Sequence, residues 1–575
     1  MIYSKLADVY DELERTPSRL SKISAVAAIL READNEELPM IILLLQGKVF
    51  PSWSEEETGI ADRIVIRIVS NATGFREADV MKHFNGTGDL GITVEKLLSG
   101  KRQQTLGEKH IDIKKVFENL QKLSAVGGKG SQDVKVSIVK ELVMHSSPRE
   151  AKYIVRTALG QLRVGVAEGV VRDAIAEAFF PEKEGDERKE VIKAIEWAWF
   201  MKPDYGDVAL TARAGGLDGL RKSGLEIGKP FQVLLAEKAP SLEDALGAYE
   251  NVQVEWKFDG ARIQAHKDGD SIWLFTRRLE NVTKQFPDVV RILRKNVTAD
   301  RCVLEGEVLA VGKNGKPAPF QILSQRIRRK YDISRMVSEI PVKMVWFDIV
   351  LLNGKQLFDR PFSERRKLLE GIINTEPGRN VLSEPLMTKD INAARKFYED
   401  ALYAGQEGVM VKNLDAIYQP GRRVSGGWLK VKPIMETLDL VITGAQWGTG
   451  KRAGWMGSFM LACRDDESGE FLDCGMMGTG VKEKKSAESD VTLKEMTEML
   501  KSDILGEDGN MVRIKPKIVL EIAYEEIQKS PTYSSGYALR FPRLVRVRVD
   551  KSPDDADSME RMSVLYAQQK GKSSK

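Results

Sequence analysis

The segment Glu255-Trp-Lys257-Phe-Asp259-Gly260-Ala-Arg262 places an amine, two carboxylates and a guanidinium close together, directly after a β-like run. Alone, it also reads as a charged β-turn at Asp259-Gly260. Further along, in order, lie Arg277 in Thr-Arg-Arg-Leu-Glu-Asn, Glu307 in Leu-Glu-Gly-Glu-Val, Phe347 in Trp-Phe-Asp-Ile, Glu407 in Glu-Gly-Val-Met-Val-Lys412, and the pair Lys430-Val-Lys432. A lysine becomes a nucleophile when desolvation or adjacent cations release its proton. Lys430, Lys432 and a bound metal are the cations expected beside Lys257. Glu307 and Glu407 are hard oxygen ligands of the type magnesium prefers. Taken singly, each glutamate reads rather as a surface strand residue, Phe347 as core, and Lys430-x-Lys432 as an exposed strand face.

Composition narrows the chemistry further. There are four histidines, none near another, which argues against His-based metal sites and most His-based acid/base mechanisms. The three cysteines, Cys302, Cys463 and Cys474, lack the close spacing of a zinc knuckle or ribbon. The work falls to lysines and carboxylates. A net charge of +4 permits a polyanionic partner without demanding one, because 84 acidic residues nearly balance 88 basic ones. The aliphatic run Met40 to Leu45 is far too short to span a bilayer. Asp8, Asp11, Glu12 and Glu14 break up any apolar region near the start, so no secretory signal is readable and a cytoplasmic protein is expected.

The elements that must position these residues fall into three textures. Residues 1 to about 225 carry apolar positions at helical spacing, as in Ile154, Ala158, Leu159 and Leu162, then Val171, Ile175 and Phe179, with Gly165 and Gly169 marking the turn between. Arg156, Arg163 and Arg172 lie along that pair, on either a solvated face or a phosphate-contacting one. After the turn-rich stretch Ser223 to Pro230, β-rich runs at Ser271 to Thr276, Cys302 to Val311 and Val342 to Leu352 alternate with helical segments, an α/β texture. From Pro433 to Val549, short strands with many glycines suit a small β-barrel.

Two look-alike motifs are rejected. Gly86-Thr-Gly88-Asp-Leu-Gly91 follows a helical stretch where a dinucleotide-binding loop needs a strand, and Gly448-Thr-Gly450-Lys451 lacks the rest of a phosphate loop, with Arg452 where Ser or Thr would hold magnesium.

The ordered series from Glu255 to Lys432 resembles the covalent nucleotidyltransferase superfamily and, within it, the archaeal-type ATP-dependent DNA ligases, relatives of the eukaryotic replicative ligase. Ala538-Leu-Arg540-Phe-Pro-Arg543 with Asp550-Lys551-Ser-Pro looks like that family's C-terminal motif, so the likeness spans nearly the whole chain. It implies an all-α DNA-binding domain at 1–228, an adenylation domain at 229–433, an OB-fold barrel at 434–567 and a basic tail at 568–575.

By the same resemblance, Lys257 attacks the α-phosphate of ATP, AMP passes to the 5′-phosphate of nicked duplex DNA, and the 3′-hydroxyl displaces it, in replication, repair and recombination. Glu255 contacts the adenine amino group and Phe347 stacks on the base. Arg262 and Arg277 take the ribose and phosphate side, and Lys430 and Lys432 the α-phosphate. Glu307 and Glu407 hold Mg2+, Asp259 orients the nick or a metal, and Arg540 and Lys551 serve the first step.

The family's arginine four residues before the Trp of Trp-Leu-Lys is replaced by Val424; a one-residue insertion would make Arg423, rather than Arg422, its counterpart. Gln103-Gln-Thr-Leu106 lacks the aromatic pair of the family's sliding-clamp-binding peptide, so a sliding clamp is a partner allowed by family alone. A monomer is expected.

Three other readings compete. An RNA ligase or mRNA guanylyltransferase would not need the helical half or Arg540-Phe-Pro-Arg543. An NAD-dependent ligase needs a four-cysteine zinc module that three cysteines cannot build. A silent DNA-binding scaffold has no reason to keep Lys257 with both glutamates.

Overall fold

The computed structural model describes residues 1–575 except 101–110, 129, 313–314, 330, 422–426, 434, 449–451, 453, 486–489 and 570–575. Among the described residues, twelve helices from Tyr3–Arg15 to Tyr205–Arg221 form the first region around one continuous apolar core. Local sequence sets their ends. Ser147 accepts from the Glu150 amide while the Glu150 carboxylate takes the Ser147 amide, and Pro148 opens the helix Pro148–Ala158 where no amide is needed. That helix stops at Ala158, short of the Leu162 expected within it, and the next runs Glu168–Phe179. Gly86 to Gly91 joins two helices, Glu77–Thr87 and Leu90–Ser99.

Arg156 lies on neither of the two expected faces. It is 4% exposed and bound to Glu14 at 2.6 Å and Asp89 at 3.0 Å. Its neighbour Lys152 joins the same Glu14 at 2.6 Å, so the helix turns a charged stripe inward onto Glu14 of the first helix and Asp89, which caps the helix Leu90–Ser99. Arg172 is likewise held by Glu196 at 2.6 Å, while Arg163 remains half exposed.

Among the described residues the middle region has ten strands: β1 (Glu237–Lys238), β2 (Val252–Lys257), β3 (Ala261–Asp268), β4 (Ser271–Thr276), β5 (Arg301–Ala310), β6 (Val342–Leu352), β7 (Lys355–Gln356), β8 (Asn380–Leu382), β9 (Gly408–Asn413) and β10 (Trp428–Val431). They form two sheets. One has the order β1-β10-β9-β2; the other runs β4-β3-β5-β6-β7, with β8 parallel to β6. β6 is buried along nearly its whole length, which suits its mostly apolar sequence; its buried Asp348 is paired with Arg365 at 2.9 Å.

The last region holds β11 (Leu438–Trp447), β12 (Met456–Arg464), β13 (Phe471–Met477), β14 (Ile504–Asp508), β15 (Met511–Ile514), β16 (Val519–Ala523), β17 (Glu526–Lys529), β18 (Tyr537–Arg540) and β19 (Arg543–Val547). β11 is its hub, pairing with β12, β15 and β16 over a separate core. A closing helix, Met559–Gln568, packs on that core, and buried Gln569 exchanges hydrogen bonds with the Ile527 backbone. The chain is therefore tied down one residue beyond where a tail was expected to begin.

Candidate active site

Side chains alternate along a strand, so Gln253, Glu255 and Lys257 share one face of β2. Across antiparallel β9 they face Lys412, Met410 and Gly408, and β10 adds Trp428 and Lys430 opposite Lys412 and Met410. Lys257 ends β2, where its carbonyl accepts from the Glu407 amide at 2.9 Å. Gly408 makes that closure possible. It lies at φ +134°, and a Cβ there would sit 2.2 Å from the Val431 carbonyl oxygen. Gly260 plays a similar part at the start of β3, since a Cβ would meet the Val308 oxygen at 2.4 Å.

Lys257 Nζ lies 2.7 Å from Glu407 Oε2, and Lys432 Nζ lies 2.8 Å from the same oxygen. Arg540, at the end of β18, reaches the other oxygen at 3.8 Å, and Lys432 continues to Glu525 at 3.3 Å. Burial opposes ionisation of Glu407, but the two lysines outweigh it and hold the carboxyl well below the usual carboxylate range. Of the cations expected around Lys257, Lys432 is thus present, but an anion bridges the two amines. Arg540 also binds Glu526 at 3.4 Å, so the three cations are balanced by the carboxylates of Glu407, Glu525 and Glu526, partners that a polyphosphate could replace.

The side chain of Glu307, on β5 beside Arg262 of β3, forms no hydrogen bond or salt bridge among the described residues. Burial pushes it up to about 7, with Lys257 and Arg262 pulling the other way. Asp259 is buried nearby, its amide donating to Gln406 Oε1 at 3.1 Å.

Arg262 is committed to the wall of the cleft. One guanidinium nitrogen donates to the Leu234 carbonyl at 2.7 Å and another to Glu305 Oε2 at 2.7 Å, the oxygen that also takes the Tyr418 hydroxyl at 2.9 Å. Its Nε is buried without a hydrogen-bond partner among the described residues. Glu255 is paired with Lys412 at 2.8 Å. Phe347 is 8% exposed; its ring meets Trp428 edge-on at 5.8 Å, with Lys412 at 4.8 Å and Arg262 at 5.5 Å from its centre.

Not every expected residue joins this group. Arg277 lines a cleft with Trp199, Tyr205 and Gln232, where the helical region meets the middle one. Lys551 binds Asp439 at 2.7 Å inside the barrel. Arg422 and Arg423, and the peptide 103–106, lie outside the described residues. Among the described residues there is no cluster of three or more metal-ligating side chains, and no helix is long and apolar enough to cross a membrane.

Sequence reasoning passed over Lys412, Glu305, Tyr418 and Gln406. Glu305 and Lys412 stand inside the quoted motifs, and alternation from Glu307 and Met410 could have placed them on the cleft faces. Tyr418 and Gln406 carry no such signal, because their partners are distant in sequence.

A lysine and carboxylates gathered at two sheets, with a helical region before them and a strand-rich barrel reaching over them, define a nucleotidyltransferase with an appended OB-fold domain. Residues 233–432 match the family model "ATP dependent DNA ligase domain", residues 2–176 "DNA ligase N terminus", and residues 452–551 "ATP dependent DNA ligase C terminal region". The chain is 46% identical to a DNA ligase of Nanoarchaeum equitans, over 99% of each chain, and 44% identical to one of Thermococcus onnurineus, over 98% of each. The solved structure Pmar-Lig_PreS3 shares the fold with a TM-score of 0.54 at 16% identity, covering 94% of this chain and 99% of its own. The chain belongs to the archaeal-type ATP-dependent DNA ligases, enzymes that seal nicks in duplex DNA using ATP.

Proposed function

We propose that Lys257 is the nucleophile of the ligation. Its Nζ forms a bond to the α-phosphorus of ATP, the bond from that phosphorus to the pyrophosphate oxygen breaks, and the amine loses a proton. The AMP moves to the 5′-phosphate of the nick, and the 3′-hydroxyl then displaces it. Covalent catalysis divides one difficult displacement into easier ones. The observation that carries this reading is the contact of Lys257 with Glu407 at 2.7 Å, in a group that also gathers the phosphate-binding cations Lys432 and Arg540.

Glu407 aims the Lys257 amine, and Lys432 and Arg540 draw the triphosphate into line with it. Lys430, on the same strand face, adds charge toward the α-phosphate. Glu255 reads the adenine amino group, Phe347 packs against the base, and Arg262 offers its unpartnered Nε toward the ribose. Arg277 belongs to nick binding at the junction with the helical region, Asp259 orients the nick or a metal, and Arg423 is the arginine that reaches the nucleotide. Lys551 serves the first step only if the barrel changes its hold on Asp439.

Magnesium fits the carboxylates here: Glu307 and Glu407 lie near each other and near Lys257, and this ion is commonly held by one or two carboxylates plus substrate phosphates. When bound it would offset charge on the phosphates. The domain limits 1–228, 229–433 and 434–567, a cytoplasmic monomer and a role in replication and repair complete the reading. A sliding clamp has the family alone in its favour.

Mass spectrometry of the protein after incubation with ATP tests the central claim. An AMP adduct on the peptide containing Lys257 is expected, and an adduct on another residue would remove Lys257 from the role.

A further inference from the structure

Lys412 is 2% exposed, yet it carries a charge into the floor of the cleft. Its Nζ donates to Glu255 Oε2 at 2.8 Å and lies 4.8 Å from the ring centre of Phe347, 4.8 Å from Phe362 and 4.4 Å from Trp428. Burial lowers the pKa of this ammonium, and Glu255 offsets part of that. The other Glu255 oxygen accepts from the Gln253 side-chain amide. One carboxylate therefore has a donor on each oxygen, both from the sheet beneath it, and both donors are buried. The cation touches the two side chains assigned above to the edge and the face of the base.

We infer that Lys412 is a positioning residue for base selection, fixing Glu255 as a group that can only accept hydrogen bonds and so favouring a 6-amino purine nucleotide over a 6-oxo one. This rests on the proposed contact between Glu255 and the adenine amino group. An ionised carboxylate has no proton to offer. It pairs with the 6-amino group of adenine, but a 6-oxo purine in the same seat would set oxygen against oxygen. A carboxylic acid could donate to that oxygen, and protonation is the usual response of a buried carboxyl that loses its counter-ion. The ring contacts serve the same end. They stabilise the ammonium without competing for a Glu255 oxygen, as a cation over an aromatic face does.

The test measures single-turnover covalent labelling of the intact enzyme by α-labelled ATP and α-labelled ITP, which differ at position 6 of the base. Lys412→Met should lower the ATP-over-ITP preference at least about tenfold, equivalent to about 1.4 kcal/mol. The loss should fall mainly on the half-saturating ATP concentration, less on the maximal rate. Lys412→Arg, which keeps the charge, should retain most of the preference. If Lys412→Met does not melt cooperatively, Lys412→Gln, which keeps a donor without charge, replaces it with the same expectation.

An unchanged preference, with labelling by both nucleotides reduced equally, would overturn the inference and leave Lys412 a packing residue. Glu255→Gln separates the two claims. If it leaves the preference intact, the adenine contact itself is wrong. If it abolishes the preference while the Lys412 variants do not, the contact stands and the inference about Lys412 fails.

Discussion

Two carboxylates in this molecule gather cations in much the same way, to different ends. Asp439 on β11 binds Arg548 at 2.8 Å and Lys551 at 2.7 Å, partners only three residues apart in sequence, and its amide is held by Asp557. Everything there belongs to the barrel. Glu407 collects Lys257 and Lys432 from the middle region and Arg540 from the barrel. The first group ties a loop to its own sheet. The second is complete only while the barrel faces the middle region, since Arg540 alone of its cations comes from the barrel. Similar chemistry becomes structural or functional according to where the partners come from.

The sharpest way to break this comparison is at the amine. Lys257→Ala should abolish covalent labelling by α-labelled ATP, a loss above about 10⁴-fold, because nucleophilic catalysis has no substitute group here. The melting temperature should hardly move, since Glu407 keeps Lys432 and Arg540 as partners. Labelled adduct persisting in the variant would defeat the assignment.

Next in size is the contrast between Arg540 and Lys551. Arg540→Ala should slow self-adenylation by about 10²-fold, the scale of losing one charge-stabilising donor. Single-turnover sealing of a nick already carrying AMP should fall much less. Lys551→Ala should behave oppositely, lowering stability by less than about 1 kcal/mol and both activities in parallel. If the two variants gave the same pattern, the division into a shared and a local group would be wrong.

A third, smaller effect lies in pH. Glu307 rises from 4.5 to about 7 on folding, so its contribution to stability is complete below about 4.5 and is lost as pH rises through about 7. Glu307→Gln should remove that loss, so thermal melts of the two proteins should converge in acid and separate above neutrality in favour of the variant. Self-adenylation should follow the ionised carboxylate, rising with pH around 7 in the natural protein and flattening in the variant. Parallel melting curves across this range would show that Glu307 titrates normally.

The smallest effect tests whether crossing between regions suffices. Lys284 pairs with Glu55 of the helical region at 2.9 Å, but it is 79% exposed. Lys284→Ala should change nick sealing and melting by no more than about 0.5 kcal/mol. A larger loss would mean that junction contacts matter even when solvated.

Much of this was legible in the sequence, for physical reasons. β4 and β6 occupy the ranges their apolar and β-branched residues announced, because local pattern dictates a buried strand. Lys257, Glu307 and Glu407 stood out by type and order. What stayed hidden depends on tertiary pairing. Arg156 looks like any arginine on a helix; only Glu14 and Asp89, brought in from remote parts of the chain, make it an interior residue. Lys412 closed a recognised motif, yet its meaning lies in Glu255 across the strand pair and in three rings around it. Lys551 belonged by resemblance with Arg540, and the fold gives it a different carboxylate.

The wide spacing of the groups around Glu407 also bears on how the protein is made. Translation releases Lys257 first, Glu407 and Lys432 later, and Arg540 last of the four. At about 5–20 residues per second, the interval between the first and last of these is on the order of tens of seconds. A nascent chain thus carries its amine well before the arginine that completes the cluster can fold against it. The complete cluster is delayed until Arg540 has been made and folded, so a chain broken off before it holds the amine without part of its setting.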